Sequence, residues 1–334
     1  MLSFEGTPRA DPDSVWYMTY AITANNLARA FGDNLAVNGV DLAIKTGEIY
    51  GFLGPNGAGK STTVRMLTTL LNPTSGSATV AGYDIVADTE NVRLRIGVAL
   101  QNAALDLKQT GREILDMQGR LYGLTATQRK MRIDHLLGLV DIGDAIDDMV
   151  STYSGGMKRR LDLAASLVHQ PEVLFLDEPT TGLDPVSRAA VWAEVRKLNT
   201  EMGMTIFLTT QYLEEADELA DRVGIIAKGR IVAEGTPTEL KRSIGADVII
   251  AKVSTEDAAR AAQALQTVPG LDHIEAKGDS IVIGVTNGGS ALSPVAVALS
   301  SAGITVNELT MRTPTLDDVF LETTGTRMQE EATQ

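Results

Sequence analysis

From Ala21 to about Gly235, short apolar runs alternate with segments of helical apolar spacing, and this alternation constrains the possible fold most strongly. The apolar runs are GEIYGFLG (47–54), RIGVAL (95–100), EVLFLDEP (172–179), MTIFLTT (204–210) and RVGIIAKGRIVAEG (222–235). Strands separated by helices usually pair in parallel and are covered on both faces, so the pattern predicts an α/β domain with a largely parallel sheet. Such sheets bind ligands at the carboxyl ends of their strands.

Two other parts of the chain differ in pattern. The stretch of about 103–169 has helical apolar spacing and no strand-like run, which predicts a helical subdomain inserted into the α/β core. Beyond Gly245, segments in the order β-α-β-β-α-β predict a small ferredoxin-like α+β domain. The predicted organisation is a loose tail at 1–20, a first domain at 21–240, a second domain at 245–325 and a tail at 326–334.

Composition excludes several classes of site and partner. The 334-residue chain has no cysteine and only three, widely separated histidines, so thiolate catalysis and cysteine- or histidine-rich metal sites are not expected. The formal net charge of -14 argues against binding nucleic acid, which requires a basic surface. No apolar run reaches the length of about 18 residues expected of a membrane-spanning helix. An anionic ligand must therefore be held by a local arrangement of residues.

The segment 54–61 provides that arrangement, because it matches the phosphate-loop pattern G-x-x-x-x-G-K-[ST] between a strand and a helix. The predicted nucleotide-binding residues here are Gly54, Pro55, Asn56, Gly57, Ala58, Gly59, Lys60, Ser61 and the following Thr62. The glycines let backbone N–H groups surround phosphate oxygens, and the helix start adds its positive dipole end. We expect Lys60 to reach the β- and γ-phosphates and the Ser61 hydroxyl to ligate Mg²⁺.

Two adjacent carboxylates, Asp177 and Glu178, end the apolar run 172–179. Side chains alternate along a strand, so the two carboxylates are expected to point in opposite directions and to separate two functions. Asp177 is then predicted to hold the Mg²⁺ shell, and Glu178 to polarise the water that attacks the γ-phosphate. An isolated Asp-Glu pair is more often a solvated strand end, and the phosphate loop in the same chain favours the catalytic interpretation.

A third motif makes the chain resemble a known family. Residues 153–157 read Tyr-Ser-Gly-Gly-Met and contain the Ser-Gly-Gly core of the Leu-Ser-Gly-Gly-Gln signature of ATP-binding-cassette (ABC) ATPases. The phosphate loop, this motif and the acidic strand end follow one another in the order typical of that family. The resemblance implies a P-loop NTPase core that binds ATP and Mg²⁺ and hydrolyses ATP. It also implies a homodimer in which Ser154, Gly155 and Gly156 of one chain meet the ATP held by the other.

The resemblance assigns roles to further residues. Phe31 looks like the aromatic residue that stacks on adenine, Gln101 like the glutamine that senses the metal, and Asp184 like part of the loop that crosses the dimer interface. Taken alone, these residues have simpler explanations. Phe31 could be a core residue, Gln101 is uninformative, and Ser154 could be the N-cap of a helix.

Gln211 is a departure from the family, whose members usually carry histidine at this position after the last core strand. A glutamine amide can orient water and donate to phosphate, but it cannot carry a positive charge as histidine can. We predict that Gln211 takes part in hydrolysis with Glu178 and Lys60. The alternative is that Gln211 only caps the following helix.

Three features of the second half of the chain narrow the resemblance. The segments TQYLEEAD (210–217) and TPTLDDVF (313–320), together with the small second domain, are similar to the daunorubicin/doxorubicin-resistance type of exporter ATPase. This resemblance covers about 22–325. It implies separate integral-membrane permease subunits as partners, a position at the cytoplasmic side of the cell membrane, and export of drugs, lipids or polyketide-like compounds.

The sequence leaves two other functions open. A cassette ATPase of DNA repair or chromosome organisation would carry a long coiled coil, and a ribosome factor would carry two cassettes, whereas this chain has neither feature. A solute importer ATPase is disfavoured only moderately by the second domain.

Overall fold

The computed structural model describes residues 20–100, 105–140, 142–245, 247–285 and 288–324. The elements up to residue 235 are, in chain order, β1 (Tyr20–Phe31), β2 (Asn34–Lys45), β3 (Ile49–Leu53), α1 (Lys60–Leu67), β4 (Ser75–Val80), β5 (Tyr83–Asp84), α2 (Thr89–Arg95), β6 (Ile96–Ala99), α3 (Gly111–Leu121), α4 (Ala126–Leu139), α5 (Gly155–Leu167), β7 (Val173–Asp177), α6 (Pro185–Met202), β8 (Thr205–Thr210), α7 (Leu213–Leu219), β9 (Arg222–Ala227) and β10 (Arg230–Gly235). The elements that follow are α8 (Pro237–Ile244), β11 (Asp247–Lys252), α9 (Ala258–Leu265), β12 (Leu271–Lys277), β13 (Ser280–Val285), α10 (Gly288–Ser301), β14 (Glu308–Arg312) and α11 (Leu316–Thr324).

The chain divides into two compact units. Over the described residues, one unit comprises 20–222 with Ile226–Ile231, and the other comprises Val223–Ile225 with 232–324.

A six-stranded sheet in the order β10-β9-β3-β8-β7-β6 carries the candidate site. The pairs β3/β8, β8/β7 and β7/β6 are parallel, as the sequence predicts. Successive residues of β7 belong to two different cores, because Leu174 and Leu176 lie in one core and Val173 and Phe175 in the other. The sheet is therefore buried on both faces, which explains why its strands are continuous apolar runs.

A second sheet in the first unit was not predicted from the sequence. It is antiparallel, in the order β2-β1-β4-β5, and its buried residues share a core with Phe52 of β3 and Val64 of α1. Register irregularities between Ala24 and Leu27 interrupt the alternation of β1. The apolar period that would have revealed this strand is therefore broken in the sequence.

Helices fill the described part of 103–169. They are α3, α4 and α5, with two short 3-10 turns at Gly143–Asp147 and Val150–Thr152. Thr110 and Thr125 form capping boxes at the starts of α3 and α4, which satisfies backbone N–H groups that lack helical partners. The three helices share one core with β7, β8 and α6.

The second unit contains an antiparallel sheet in the order β12-β13-β11-β14. Apolar residues of β11 and β13 form its core with α9 and α10, and α8 packs against α11.

Candidate active site

The phosphate loop connects the end of β3 to the start of α1, as the sequence predicts. Gly59 has a φ of 111°, and a Cβ at this position would lie 2.6 Å from the carbonyl oxygen of Ala36. Only glycine fits here, because other residues rarely adopt this conformation and the space is already filled. The loop is thereby held against β2, with its residues lining an open cleft.

Lys60 is 4% exposed, although it carries a positive charge. Its Nζ donates to the carbonyl oxygens of Gly54 at 2.6 Å and Pro55 at 3.1 Å, and it lies 3.3 Å from Oε1 of Glu178. Burial lowers the pKa of Lys60, whereas the neighbouring carboxylates of Glu178 and Asp177 raise it. Two carbonyl oxygens of the loop and the carboxylate of Glu178 thus hold the ammonium group of Lys60 within the phosphate loop.

Asp177, the last residue of β7, reaches the first turn of α1. Its Oδ1 accepts a hydrogen bond from the Thr209 hydroxyl at 2.5 Å and lies 3.4 Å from Oγ of Ser61. A carboxylate and a hydroxyl side by side are the oxygen donors that Mg²⁺ prefers, and both side chains point to one place. The two residues fit the predicted metal role.

Glu178 corrects one prediction. The structure ends β7 at Asp177 and places Glu178 at a φ of 50°, so strand alternation does not decide where this side chain points. The carboxylates of Asp177 and Glu178 reach adjacent residues, Ser61 and Lys60, at the start of one helix. Their two environments differ because the backbone turns after the strand.

Neighbouring residues hold Glu178 in this uncommon conformation. Its N–H donates to the carbonyl oxygen and to Oγ1 of Thr209, both at 3.1 Å. The Thr181 hydroxyl donates to Oε2 of Glu178 at 3.2 Å. Thr209 therefore supports both carboxylates, a role that sequence analysis missed. The sequence signal for this role is the pair of threonines, Thr209 and Thr210, that ends β8, the strand next to β7.

Gln211 directly follows β8, which lies between β3 and β7 in the sheet. The N–H of Gly54 donates to the carbonyl oxygen of Thr210 at 3.3 Å, so this strand end adjoins the phosphate loop. Gln211 is not the N-cap of α7. That position is Tyr212, whose N–H donates to Oγ1 of Thr210 at 2.8 Å.

A cleft of about 310 Å³ connects the phosphate loop with Phe31. Among its lining residues are Phe31, Asn56, Gly57, Lys60, Ser61 and Glu178. The Phe31 ring is 47% exposed, so it is not a core residue, and the guanidinium of Arg29 lies 4.7 Å from its centre. Gln101 lies outside the residues that the structure describes.

The signature residues and Asp184 are not among those that line the cleft. Ser154 is exposed and caps α5, because its Oγ accepts the N–H of Met157 at 3.2 Å. Asp184 caps α6 and accepts from Ser187, whose hydrogen bonds lower the pKa of the Asp184 carboxyl. The structure thus shows Ser154 as an N-cap. Capping does not exclude a second role of the Ser-Gly-Gly residues in binding phosphate.

The chain matches two family descriptions along its length. The family described as ABC transporter matches residues 37–181, and the C-terminal domain of DrrA1-3-like ATP-binding proteins matches residues 235–324. The Daunorubicin resistance ATP-binding protein DrrA3 of Streptomyces coeruleorubidus is 48% identical over 91% of this chain and 96% of its own length. The chain belongs to the ABC transporter ATP-binding family. The resemblance inferred from the phosphate loop, signature and acidic strand is thereby confirmed.

Further relatives and a solved structure agree with this family. The Daunorubicin/doxorubicin resistance ATP-binding protein DrrA of Streptomyces peucetius is 43% identical over 95% of this chain and 96% of that protein. The Nod factor export ATP-binding protein I of Burkholderia lata is 39% identical over 92% and 98%, respectively. The structure of cbiO1 from Clostridium perfringens, part of the ABC transporter complex cbiONQ, superposes with a TM-score of 0.63 at 28% identity, covering 67% of this chain and 93% of that one.

The α/β core of this protein therefore has the ABC ATPase fold, and membership of this family makes the chain an ATPase. Its relatives are drug-resistance and export proteins, which supports a role in powering an exporter. No helix in the described ranges is long and apolar enough to cross a membrane.

Proposed function

We propose that two copies of this chain form a homodimer that drives export of drugs, lipids or polyketide-like compounds through separate integral-membrane permease subunits. The homodimer would act at the cytoplasmic side of the membrane. The observation that carries the ATPase activity within this proposal is that Asp177 and Glu178 reach Ser61 and Lys60 at the start of α1, beside the cleft. The names of relatives, which are drug-resistance and export proteins, support the substrate class.

The cleft suggests how ATP is bound. The exposed ring of Phe31 is available to stack on adenine, and the phosphates would lie over the backbone N–H groups of the loop. Lys60 would exchange its bonds to Gly54 and Pro55 for phosphate oxygens, since its Nζ already points into the loop. Ser61 and Asp177, with Gln101, would hold Mg²⁺, which supplies charge neutralisation between the phosphates when bound.

Hydrolysis would use Glu178 and Gln211. Glu178 is 8% exposed, and its carboxylate would accept a proton from, or orient, the attacking water once Lys60 turns to the phosphate. Gln211 follows the strand between the phosphate loop and Glu178, and its amide would donate to the γ-phosphate and accept from water.

The exposed signature residues support a composite ATP site, that is, one formed by the phosphate loop of one chain and the signature of its partner. Ser154, Gly155 and Gly156 lie at the start of α5, where N–H groups and a hydroxyl can meet phosphate oxygens. Ser154, Gly155 and Asp184 are exposed outside the cleft of their own chain, and the signature of this family meets the ATP of the partner copy, so we assign these residues and Gly156 to that ATP.

We also propose that the second unit is a ferredoxin-like domain over about 245–325. The element order β11-α9-β12-β13-α10-β14 and the antiparallel sheet β12-β13-β11-β14 support it.

The replacement Glu178→Gln tests the catalytic assignment. It preserves size and removes the charge, so ATP should still bind while turnover falls by about 10²–10⁴-fold. Steady-state ATPase assays and nucleotide titration measure the two effects. Turnover close to that of the unmodified chain would exclude Glu178 from the role.

A mixture of Lys60→Ala and Ser154→Arg chains tests the composite site. A mixed dimer contains one intact site and one doubly damaged site. If half of the dimers are mixed, activity should recover to about one quarter of that of the unmodified dimer. Each variant alone serves as the control. If mixed dimers form and the mixture hydrolyses no more ATP than either variant alone, the signature does not act across the interface.

A further inference from the structure

Glu215 is a carboxyl residue whose burial the proposed roles do not explain. It lies in the first turns of α7 and is 0% exposed. Burial raises the pKa of its carboxyl group. Burying a carboxyl group is costly unless hydrogen bonds compensate, so its neighbours indicate what it stabilises.

Two donors converge on the same oxygen of Glu215. The Thr180 hydroxyl donates to Oε1 at 2.8 Å, and the indole N–H of Trp192 donates to it at 2.9 Å. Thr180 is itself fully buried. These three side chains come from segments that are far apart along the chain, which makes the carboxyl group a junction within the first unit.

Thr180 belongs to the turn that carries Glu178. Within this turn, the N–H of Thr181 donates to the carbonyl oxygen of Glu178 at 3.3 Å, and the N–H of Leu183 donates to that of Thr180 at 3.1 Å. The φ of 50° at Glu178 requires support from its surroundings, and the hydrogen bond from Thr180 to Glu215 anchors the turn two residues beyond it.

The other two segments carry further residues of the site. Trp192 lies on α6, which begins after its N-cap Asp184. Glu215 lies on α7, which begins two residues after Gln211. A single oxygen atom thus joins the segments that carry Glu178, Asp184 and Gln211.

We propose that Glu215 is a positioning residue for ATP hydrolysis, in which Oε1 ties the turn of Glu178 to the helix that follows Gln211. The proposal rests on the roles proposed above for Glu178 and Gln211. Oε1 accepts the hydrogen bonds of Thr180 and Trp192 whether or not the carboxyl group is ionised. A glutamine, whose carbonyl oxygen can take the place of Oε1, should therefore preserve the function.

The test compares Glu215→Gln, Glu215→Ala and Glu48→Ala in the full-length chain. Glu48 is a matched control, since it is also a buried carboxylate, pairs with Arg222 at 3.2 Å, and precedes β3 at the end of the strand remote from the phosphate loop. For Glu215→Ala, kcat should fall about 10- to 100-fold with little change in KM, because a displacement of about 1 Å can cost about 100-fold. Glu215→Gln should retain kcat within about three-fold, and Glu48→Ala should lower Tm without this loss of kcat.

A second variant isolates the contact with the turn. Thr180→Val removes the hydroxyl and keeps the shape, and it should lower kcat in the same direction as Glu215→Ala. Combined with Glu215→Ala, it should add little, because both changes remove the same hydrogen bond between Thr180 and Glu215. This variant also tests the proposal if Glu215→Ala does not fold.

Three outcomes would overturn the proposal. The first is unchanged turnover per folded molecule in Glu215→Ala or in Thr180→Val, together with an inactive Glu178→Gln. This result would exclude the positioning role of Glu215 but would leave the proposed catalytic role of Glu178 intact. The second is an equal loss in Glu215→Gln and Glu215→Ala, which would mean that charge, not hydrogen bonding, is required. The third is normal turnover in Glu178→Gln, which would remove the proposed catalytic role and the positioning role with it.

Discussion

Glu178 adopts a left-handed backbone conformation that most residues other than glycine avoid. The N–H of Glu178 is bonded to two oxygens of Thr209, and its carboxylate is bonded by Thr181 and paired with Lys60. Such strain persists only where the surroundings fix it, and it commonly accompanies function. At the residue scale, the site is therefore a set of side chains whose positions the neighbouring strand and turn impose.

Replacement of Gln211 tests the residue that departs from the family pattern. Gln211→Ala should lower kcat by about ten-fold or more with ATP binding nearly unchanged, since an amide that contacts phosphate and water is lost. Gln211→His should keep or raise activity, because the imidazole can donate to the same phosphate.

Paired ATPase assays and thermal unfolding would measure these effects. If Gln211→Ala lowers Tm but keeps its turnover per folded molecule, the residue is structural. The observed N-cap of α7 at Tyr212 favours the catalytic outcome.

At the scale of elements, helix starts serve two purposes in this unit. Ser154 caps α5 and Thr125 caps α4, each through its hydroxyl. Each replacement by alanine should destabilise the protein by about 1 kcal/mol, the usual cost of a lost N-cap. Only Ser154→Ala should also lower ATPase activity, by about ten-fold, because its hydroxyl is the one assigned to phosphate.

Denaturant unfolding and ATPase assays of both variants would separate capping from catalysis. Equal activity of Ser154→Ala and Thr125→Ala, at matched stability, would show that Ser154 is a cap alone.

Helix α5 also carries Asp162, which produces a pH dependence. Burial raises the pKa of Asp162 to about 6, although Arg159 lies 3.4 Å away and lowers it. The folded protein therefore binds this proton more tightly than the unfolded chain. The contribution of this proton to the free energy of unfolding is fully present below about pH 4. It is lost as the pH rises through about 6, where the folded protein releases the proton.

The change Asp162→Asn should remove this dependence. Near pH 3.5 the variant and the unmodified chain should be about equally stable, because Asp162 is then mostly protonated in both the folded and the unfolded state. Near pH 8 the variant should be more stable by up to about 3 kcal/mol, since ionising a buried carboxyl group is no longer required. Urea unfolding at both pH values measures the difference. A gain that is the same at both values would mean that Asp162 titrates normally.

At the scale of the whole molecule, the second unit has its own core and none of the nucleotide-binding residues. Its first helix, α8, packs against its last, α11, and the buried residues of these helices are Leu240, Leu316, Val319 and Phe320. A truncation near Gly245 would remove α11, which packs against α8, and would expose Leu240. A truncation after Gly235, before α8, avoids this exposure.

The chain that ends at Gly235 should still bind ATP but should dimerise or couple to transport poorly. The reason is that the phosphate loop and Asp177 lie entirely before the cut, whereas the second unit has no other assigned role. ATP titration, sedimentation and a transport assay at equal expression measure the three properties. Unchanged transport would make the second unit a passive domain retained for stability.

The local sequence determined the central strands, the phosphate loop and the helices of 103–169. In each case, spacing within a short segment carries the information. Buried parallel strands must be apolar throughout, as β3, β7 and β8 are, and helices show their apolar face every three to four residues. In the antiparallel sheet, the irregular register of β1 breaks its period, whereas β2 does alternate, with Val40, Leu42 and Ile44 buried, so this strand carried a signal that the sequence analysis missed.

Only the tertiary structure decided which residues meet at the site. The strand order β3-β8-β7 brings the phosphate loop, Gln211 and Glu178 to neighbouring strand ends, and no local spacing contains that order. The position of Glu178 follows from the turn after Asp177, and not from the strand alternation that the sequence predicts. The hydrogen bonds of Glu215 likewise join residues 23 and 35 positions apart. Sequence spacing reports one element at a time, whereas a site forms where several elements end.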